Sequence, residues 1–69
     1  MLNFTAQDIQ GQFTVTYSVN KFFLHMVKDF GDVLIGGYYD KDTLNKDIKQ
    51  YGLKNVTFHG IAVRKYLGA

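Results

Sequence analysis

The chain has 69 residues, no cysteine and a formal net charge of +2. This length allows one small core, so we expect a single domain over residues 1–69. The lack of cysteine excludes disulfides and thiolate metal sites, and no apolar run approaches the roughly 18 residues of a membrane helix. The start of the chain shows no signal-peptide pattern, which predicts a cytoplasmic protein that does not enter membranes.

The charge is unevenly distributed along the chain. Residues 1–34 carry two lysines against three aspartates, a net charge of −1, whereas residues 35–69 carry six basic residues against three aspartates, a net charge of +3. A nucleic-acid-binding protein usually has a stronger basic character. If this chain binds DNA, we therefore expect it to act as a homodimer, cooperatively, or beside another protein.

Residues 4–23, FTAQDIQGQFTVTYSVNKFF, support two interpretations. Phe13, Val15, Tyr17 and Val19 alternate with polar residues, which is typical of a half-buried strand. However, Thr5 followed by Asp8 resembles the capping pattern at a helix start, and Phe4 and Ile9 have the spacing of a hydrophobic staple. The second interpretation gives a helix to about residue 13, a turn over residues 14–16 and a second helix.

Apolar residues from position 19 to position 30 follow a helical spacing, and Gly31 can end the helix. They are Val19, Phe22, Phe23, Met26, Val27 and Phe30. This pattern predicts a helix over residues 17–30. It also removes Val19 from the alternating run, so we prefer the helix-turn-helix interpretation.

The second half of the chain predicts a hairpin, a third helix and a final strand. Residues 33–35 and 38–39 flank Gly36-Gly37, which suggests a two-residue turn. Asp40 or Asp42 can cap a helix whose apolar face ends before Gly52. In the tail, Val56, Phe58, Ile61 and Val63 predict a strand in which Gly60 forms a bulge, and a short helix over residues 61–67 is the alternative.

The segment TAQDIQGQFTVTYSVNKFF resembles the small winged helix-turn-helix domains of phage and transposon excisionases and of MerR-type regulators. Residues at the matching positions are Thr5, Ala6, Asp8, Ile9, Phe13, Val15 and Thr16. IGGYYDKDTLNKDI is similar to the wing and the following helix, so the resemblance covers residues 4–50. Gln10, Thr14 and Asn20 depart from the family pattern, as do Tyr38 and Tyr39 in the wing. The resemblance implies an α+β winged helix-turn-helix fold. It also implies an excisionase-like architectural factor beside a recombinase, or a small phage-type transcriptional regulator.

On this interpretation, the polar side of the second helix and the wing contact duplex DNA. Asn20 can pair with adenine, and Lys21 can reach guanine or a phosphate. The predicted contact residues are Thr16, Tyr17, Ser18, Asn20, Lys21, His25, Lys28, Tyr38, Tyr39 and Lys41. The simpler explanation is an ordinary solvated helix face, with Tyr38 and Tyr39 as packing partners between strands.

No catalytic, cofactor or metal motif is present, so we do not expect an enzyme. His25 and His59 are the only imidazoles, and Asp40-Lys41-Asp42 lacks the remainder of a calcium loop. The alternative hypothesis is a compact α+β protein-interaction module, or a phage-type inhibitor that binds a partner protein. In that fold, residues 11–18 form a strand that pairs with the tail, and the tail edge can extend another sheet.

Overall fold

A computed structural model describes residues 5–68, which form a mixed four-stranded sheet and three helices. In chain order the elements are α1 (Ala6–Ile9), β1 (Gln12–Ser18), β2 (Lys21–Lys28), β3 (Gly31–Tyr38), α2 (Lys41–Tyr51), β4 (Asn55–Phe58) and α3 (Ile61–Leu67). The α+β class predicted from the sequence is therefore correct.

The strands lie in the order β3-β2-β1-β4. The pairs β1–β2 and β2–β3 are antiparallel, whereas β4 is parallel to β1. A parallel neighbour needs a crossover connection, and α2 supplies it. Phe13 of β1 consequently lies between Met26 and Val56, in the middle of the sheet.

The core lies between the helices and one face of the sheet. Phe13, Val15, Leu24, Leu44 and Ala62 are completely buried. Ile48 and Tyr51 of α2 and Tyr66 of α3 pack against this cluster. Alternate residues of β1 and β2 thus point towards the helices, as the two-residue period of a strand requires.

The helix predicted for residues 17–30 is wrong, and the winged helix-turn-helix is not confirmed. Residues 12–18 and 21–28 are strands joined by Val19 and Asn20, which both have positive φ. Leu24 does not belong to the predicted helical stripe, yet it is fully buried. The alternation of residues 13–17 was therefore the decisive signal. The alternative fold, in which residues 11–18 form a strand paired with the tail, is confirmed, with the strand observed at Gln12–Ser18.

The hairpin predicted around Gly36-Gly37 is also wrong, because both glycines lie inside β3. A Cβ atom on Gly36 would lie 3.0 Å from the Tyr38 hydroxyl, and one on Gly37 would lie 3.4 Å from the Phe23 ring. Gly36 therefore makes room for the Tyr38 ring, whereas a Cβ on Gly37 would only be in van der Waals contact with the Phe23 ring. The turn that starts β3 lies at residues 29–30, and Gly31 follows it with φ 134°.

The third predicted helix is confirmed as α2. The Asp40 side chain accepts a hydrogen bond from the Thr43 amide, and Gly52 ends the helix with φ 72°. In the tail, the predicted strand is correct for Val56 and Phe58 in β4 but wrong for Ile61 and Val63, and the alternative helix over residues 61–67 is confirmed as α3. Gly60, with φ 59°, stands at the start of that helix and is not a bulge.

The predicted capping box at the first helix is present. Thr5 and Asp8 exchange hydrogen bonds between side chain and backbone, but the helix ends at Ile9 because β1 begins at Gln12. The proposed staple involves Phe4, which lies outside the described residues. Asp8 also contacts the Lys28 ammonium at 2.6 Å, which ties α1 to β2. The hydrogen bond from Lys28, followed by those from Thr5, lowers the pKa of Asp8.

Candidate binding surface

The sheet face opposite the helices is not covered by any element of residues 5–68. The register places thirteen strand residues on this open face: Gln12, Thr14, Thr16, Ser18, Lys21, Phe23, His25, Val27, Asp32, Leu34, Gly37, Asn55 and Thr57. The helices pack only against the other face, where the core lies. The open face is therefore available to a partner.

The open face is mainly polar with few charges, and it carries an apolar strip in which Phe23, Val27 and Leu34 surround His25. Leu34 is 54% exposed and Val27 is 37% exposed. The ring of Phe23 lies against Gly37 of the neighbouring strand. The charged strand residues are Lys21 and Asp32, at different ends of the sheet. His25 Nε2 lies 3.2 Å from Thr16 Oγ1, so the imidazole is anchored to the neighbouring strand.

The β1–β2 turn forms a second feature, which we call the hairpin end and define as residues 17–21 with Tyr39 and Lys65. The Lys21 ammonium lies 4.7 Å from the centre of the Tyr39 ring, and the Lys65 ammonium lies 5.4 Å from that of Tyr17. Cations prefer such positions over aromatic faces. The hairpin end thus combines two ammonium groups with two tyrosine rings.

A third feature is an open groove of about 530 Å³ between the end of β3 and α2. Its walls include Tyr39, Thr43, Lys46 and Gln50. The Tyr38 hydroxyl donates a hydrogen bond of 2.6 Å to Asp47 Oδ2, also in the groove wall. Burial, and then the contact with Asp47, raise the pKa of Tyr38 well above its usual value of 10.0.

The structure groups some of the predicted DNA-contact residues and separates others. Thr16, Lys21 and His25 share the open face, while Tyr17, Ser18, Asn20 and Tyr39 lie with Lys21 at the hairpin end. Lys28 is paired with Asp8, and Tyr38 is bonded to Asp47. Lys41 lies beside Gly68 at the end of α3.

The sequence interpretation missed the apolar members of the open face. Phe23 and Val27 were assigned to the buried stripe of a helix, and Leu34 to a hairpin strand. Strand alternation places Phe23 and Val27 opposite Phe22 and Met26, and that alternation was the available signal. The bulge near Leu24 in the β2–β3 pairing has no equally clear signal in the sequence.

These features define a small α+β domain with an uncovered sheet face. Comparisons with protein-family models, curated proteins and solved structures gave no match. In the described part of the chain, no three His, Asp or Glu side chains are grouped so that they could hold a metal ion. None of the helices within residues 5–68 has the length and apolar character needed to cross a membrane.

Proposed function

We propose that this chain is a protein-interaction module that docks through the open face of its sheet. The observation that carries the proposal is the uncovered apolar strip formed by Phe23, Val27 and Leu34. Aromatic and aliphatic side chains with few charges are typical of the centre of protein interfaces. Such a surface also suits an inhibitor that works by covering its target.

The energies of the available contacts favour a protein partner. Complete burial of a Val, Leu or Phe side chain contributes about 1.5–3 kcal/mol, so the partly exposed strip can supply a substantial part of a binding energy. Binding to nucleic acid depends mainly on neutralised phosphates. The open face offers Lys21 as its one ammonium group among the described residues.

A photo-crosslinking amino acid can test this proposal. We expect the probe at Leu34, on the open face, to capture a discrete protein from a nuclease-treated lysate of the source cells. The same probe at Lys49, an exposed position on α2, is the matched control. The proposal is supported if the probe at position 34, and not the probe at position 49, captures one protein in a fixed stoichiometric ratio to this chain. Equal capture from both positions, or no protein product from position 34, contradicts it.

Nucleic-acid binding through the hairpin end is the second candidate function. Lys21 and Lys65 rest on tyrosine rings, and Asn20 lies at the tip of the hairpin formed by the two central strands of the sheet. An aromatic, basic surface of this kind suits nucleic-acid strands. An excisionase-like or regulatory role would then use the hairpin end, with no recognition helix. A homodimer or cooperative assembly would add the phosphate contacts that one copy lacks.

A salt-dependent titration decides this second candidate. If it holds, affinity for duplex or single-stranded DNA should fall steeply with salt, because bound phosphates release counterions. Changing Lys21 and Lys65 to Gln together should remove about two of these contacts and flatten the slope, whereas changing Lys49 to Gln should leave it unchanged. Absence of binding at low salt excludes the second candidate.

A further inference from the structure

The two outer strands of the sheet differ in how accessible their edges are. Within residues 5–68, no strand pairs with the outer edge of β3 or of β4. β4 has only four residues, and Lys54 precedes it. Short edge strands and lysines are common means of preventing strand addition. β3 has eight residues without lysine or proline. Asp32 and the bulge near Leu24 protect its first half, so residues 35–38 form the longest unprotected stretch of either edge.

The groove between β3 and α2 begins at the end of this edge. Gly37 lies in its wall, and this glycine exposes backbone without a side chain on an outer strand. An extended segment placed along β3 would therefore continue into the groove. The side chains of Tyr39 and Asp47 would meet the segment there.

The charges of the groove walls indicate which segment fits. Among the residues that line the walls, Asp40 and Asp47 are acidic and Lys46 is basic, which gives a net charge of −1. Lys21 is not a lining residue, but its ammonium lies over the ring of Tyr39, so Asp47 is the wall position best suited to a further cation. Lys46 is exposed, whereas Asp47 is partly buried and held by the Tyr38 hydroxyl. A carboxylate at a less solvated position attracts a cation more strongly than an exposed ammonium repels it.

We propose that the edge of β3 accepts an extended, basic segment of a partner protein as a fifth strand, with an Arg or Lys of that segment in the groove beside Asp47. The backbone bonds of strand addition supply affinity, and the groove supplies selectivity. This inference rests on the proposed function as a protein-interaction module and specifies the kind of partner segment that the module would bind. This second binding site lies at the edge of β3 and on the side of the sheet that the helices cover, and it does not overlap the apolar strip of the open face.

Synthetic peptides test the inference without knowledge of the partner. The probes are acetylated nine-residue peptides of alternating Val and Thr, with Arg, Gln or Glu at the centre. We expect the Arg peptide to bind about tenfold more tightly than the Glu peptide. It should also slow amide hydrogen exchange in β3 but not in β4.

N-methylation of alternate peptide bonds should abolish binding. Equal affinity of the three peptides, or no protection of β3 at millimolar concentrations of the Arg peptide, overturns the inference.

Two substitutions on α2 test the position of the cation. Asp47→Asn keeps an acceptor for Tyr38 but removes the charge, and should weaken the Arg peptide three- to tenfold while leaving the Gln peptide unchanged. Asp42→Asn, in the same helix but outside the groove, should change neither. Equal weakening of both peptides by Asp47→Asn contradicts the assignment. Peptide binding without crosslinking at Leu34 would refute only the open-face proposal, and crosslinking without peptide binding would refute only this one.

Discussion

Val19 occupies an unfavourable position for its residue type. It has φ 50° in the β1–β2 turn, and its side chain is 85% exposed. A β-branched residue in the left-handed region is strained, and exposure allows little packing energy to compensate. Asn20, with φ 62°, is a residue that tolerates this conformation.

We expect Val19→Asn to stabilise the protein by about 1 kcal/mol, because asparagine adopts the left-handed conformation with less strain. Urea unfolding measures the change, and the melting temperature should rise by roughly 4–8 °C for a domain of this size. The matched control is Val27→Asn, an exposed valine in a strand, which should lose up to about 1 kcal/mol. If Val19→Asn lowered the free energy of unfolding, the proposed backbone strain at Val19 would be refuted.

The connection between β3 and α2 depends on the bond from Tyr38 to Asp47. Tyr38 is the last residue of β3, and Asp47 lies in the middle of α2. The hydroxyl–carboxylate distance of 2.6 Å is short, as expected when the acceptor is ionised. This bond fixes the helix beside the edge of the sheet and so shapes the groove.

We expect Tyr38→Phe to lower the free energy of unfolding by about 1 kcal/mol near neutral pH, since the bond is only partly buried. The folded state raises the pKa of Tyr38 above its usual 10.0 and therefore holds its proton more tightly than the unfolded chain does. This contribution is present below pH 10 and is lost as pH rises further. Stability should thus fall more steeply between pH 9 and pH 11.5 in the wild type than in Tyr38→Phe.

Tyr39→Phe, which changes an exposed ring, should remain within about 0.5 kcal/mol of the wild type near neutral pH. Parallel pH profiles of the wild type and Tyr38→Phe would contradict this account.

The whole molecule is held together by one small core that joins the helices to the sheet. Leu44 of α2 is fully buried against Phe13, Val15 and Leu24. A domain of this size has a total stability of roughly 3–10 kcal/mol. A single cavity in the core should therefore affect every element at once.

We expect Leu44→Ala to destabilise the protein by about 2–5 kcal/mol, which approaches its whole stability. Leu67→Ala, the same change at a helical residue that is 72% exposed, should remain within about 0.5 kcal/mol. Circular dichroism and tyrosine fluorescence during urea unfolding measure both variants. Similar effects of the two changes would show that α2 does not share the core.

Several local features could be predicted from the sequence because they depend on neighbouring residues. The capping box of Thr5 and Asp8, the helix from Asp40 to Gly52 and the alternation of residues 13–17 all depend on contacts within a few positions. The turn at Gly36-Gly37 was wrong because both glycines pair with β2, Gly36 with Leu24 and Gly37 with Phe23. Phe23 is 14 positions away from Gly37 in the chain.

The sequence by itself determined the α+β class, α2 with its caps, and a weak overall positive charge. Only the tertiary structure decided that residues 17–18 and 21–28 are strand, because the apolar residues there fit both periods and the pairing of β1 with β4 is remote in sequence. The candidate surfaces were likewise decided only by the tertiary structure. Whether Phe23, Val27 and Leu34 are core or surface depends on which sheet face the helices cover, and a residue's own neighbours in the chain do not specify that.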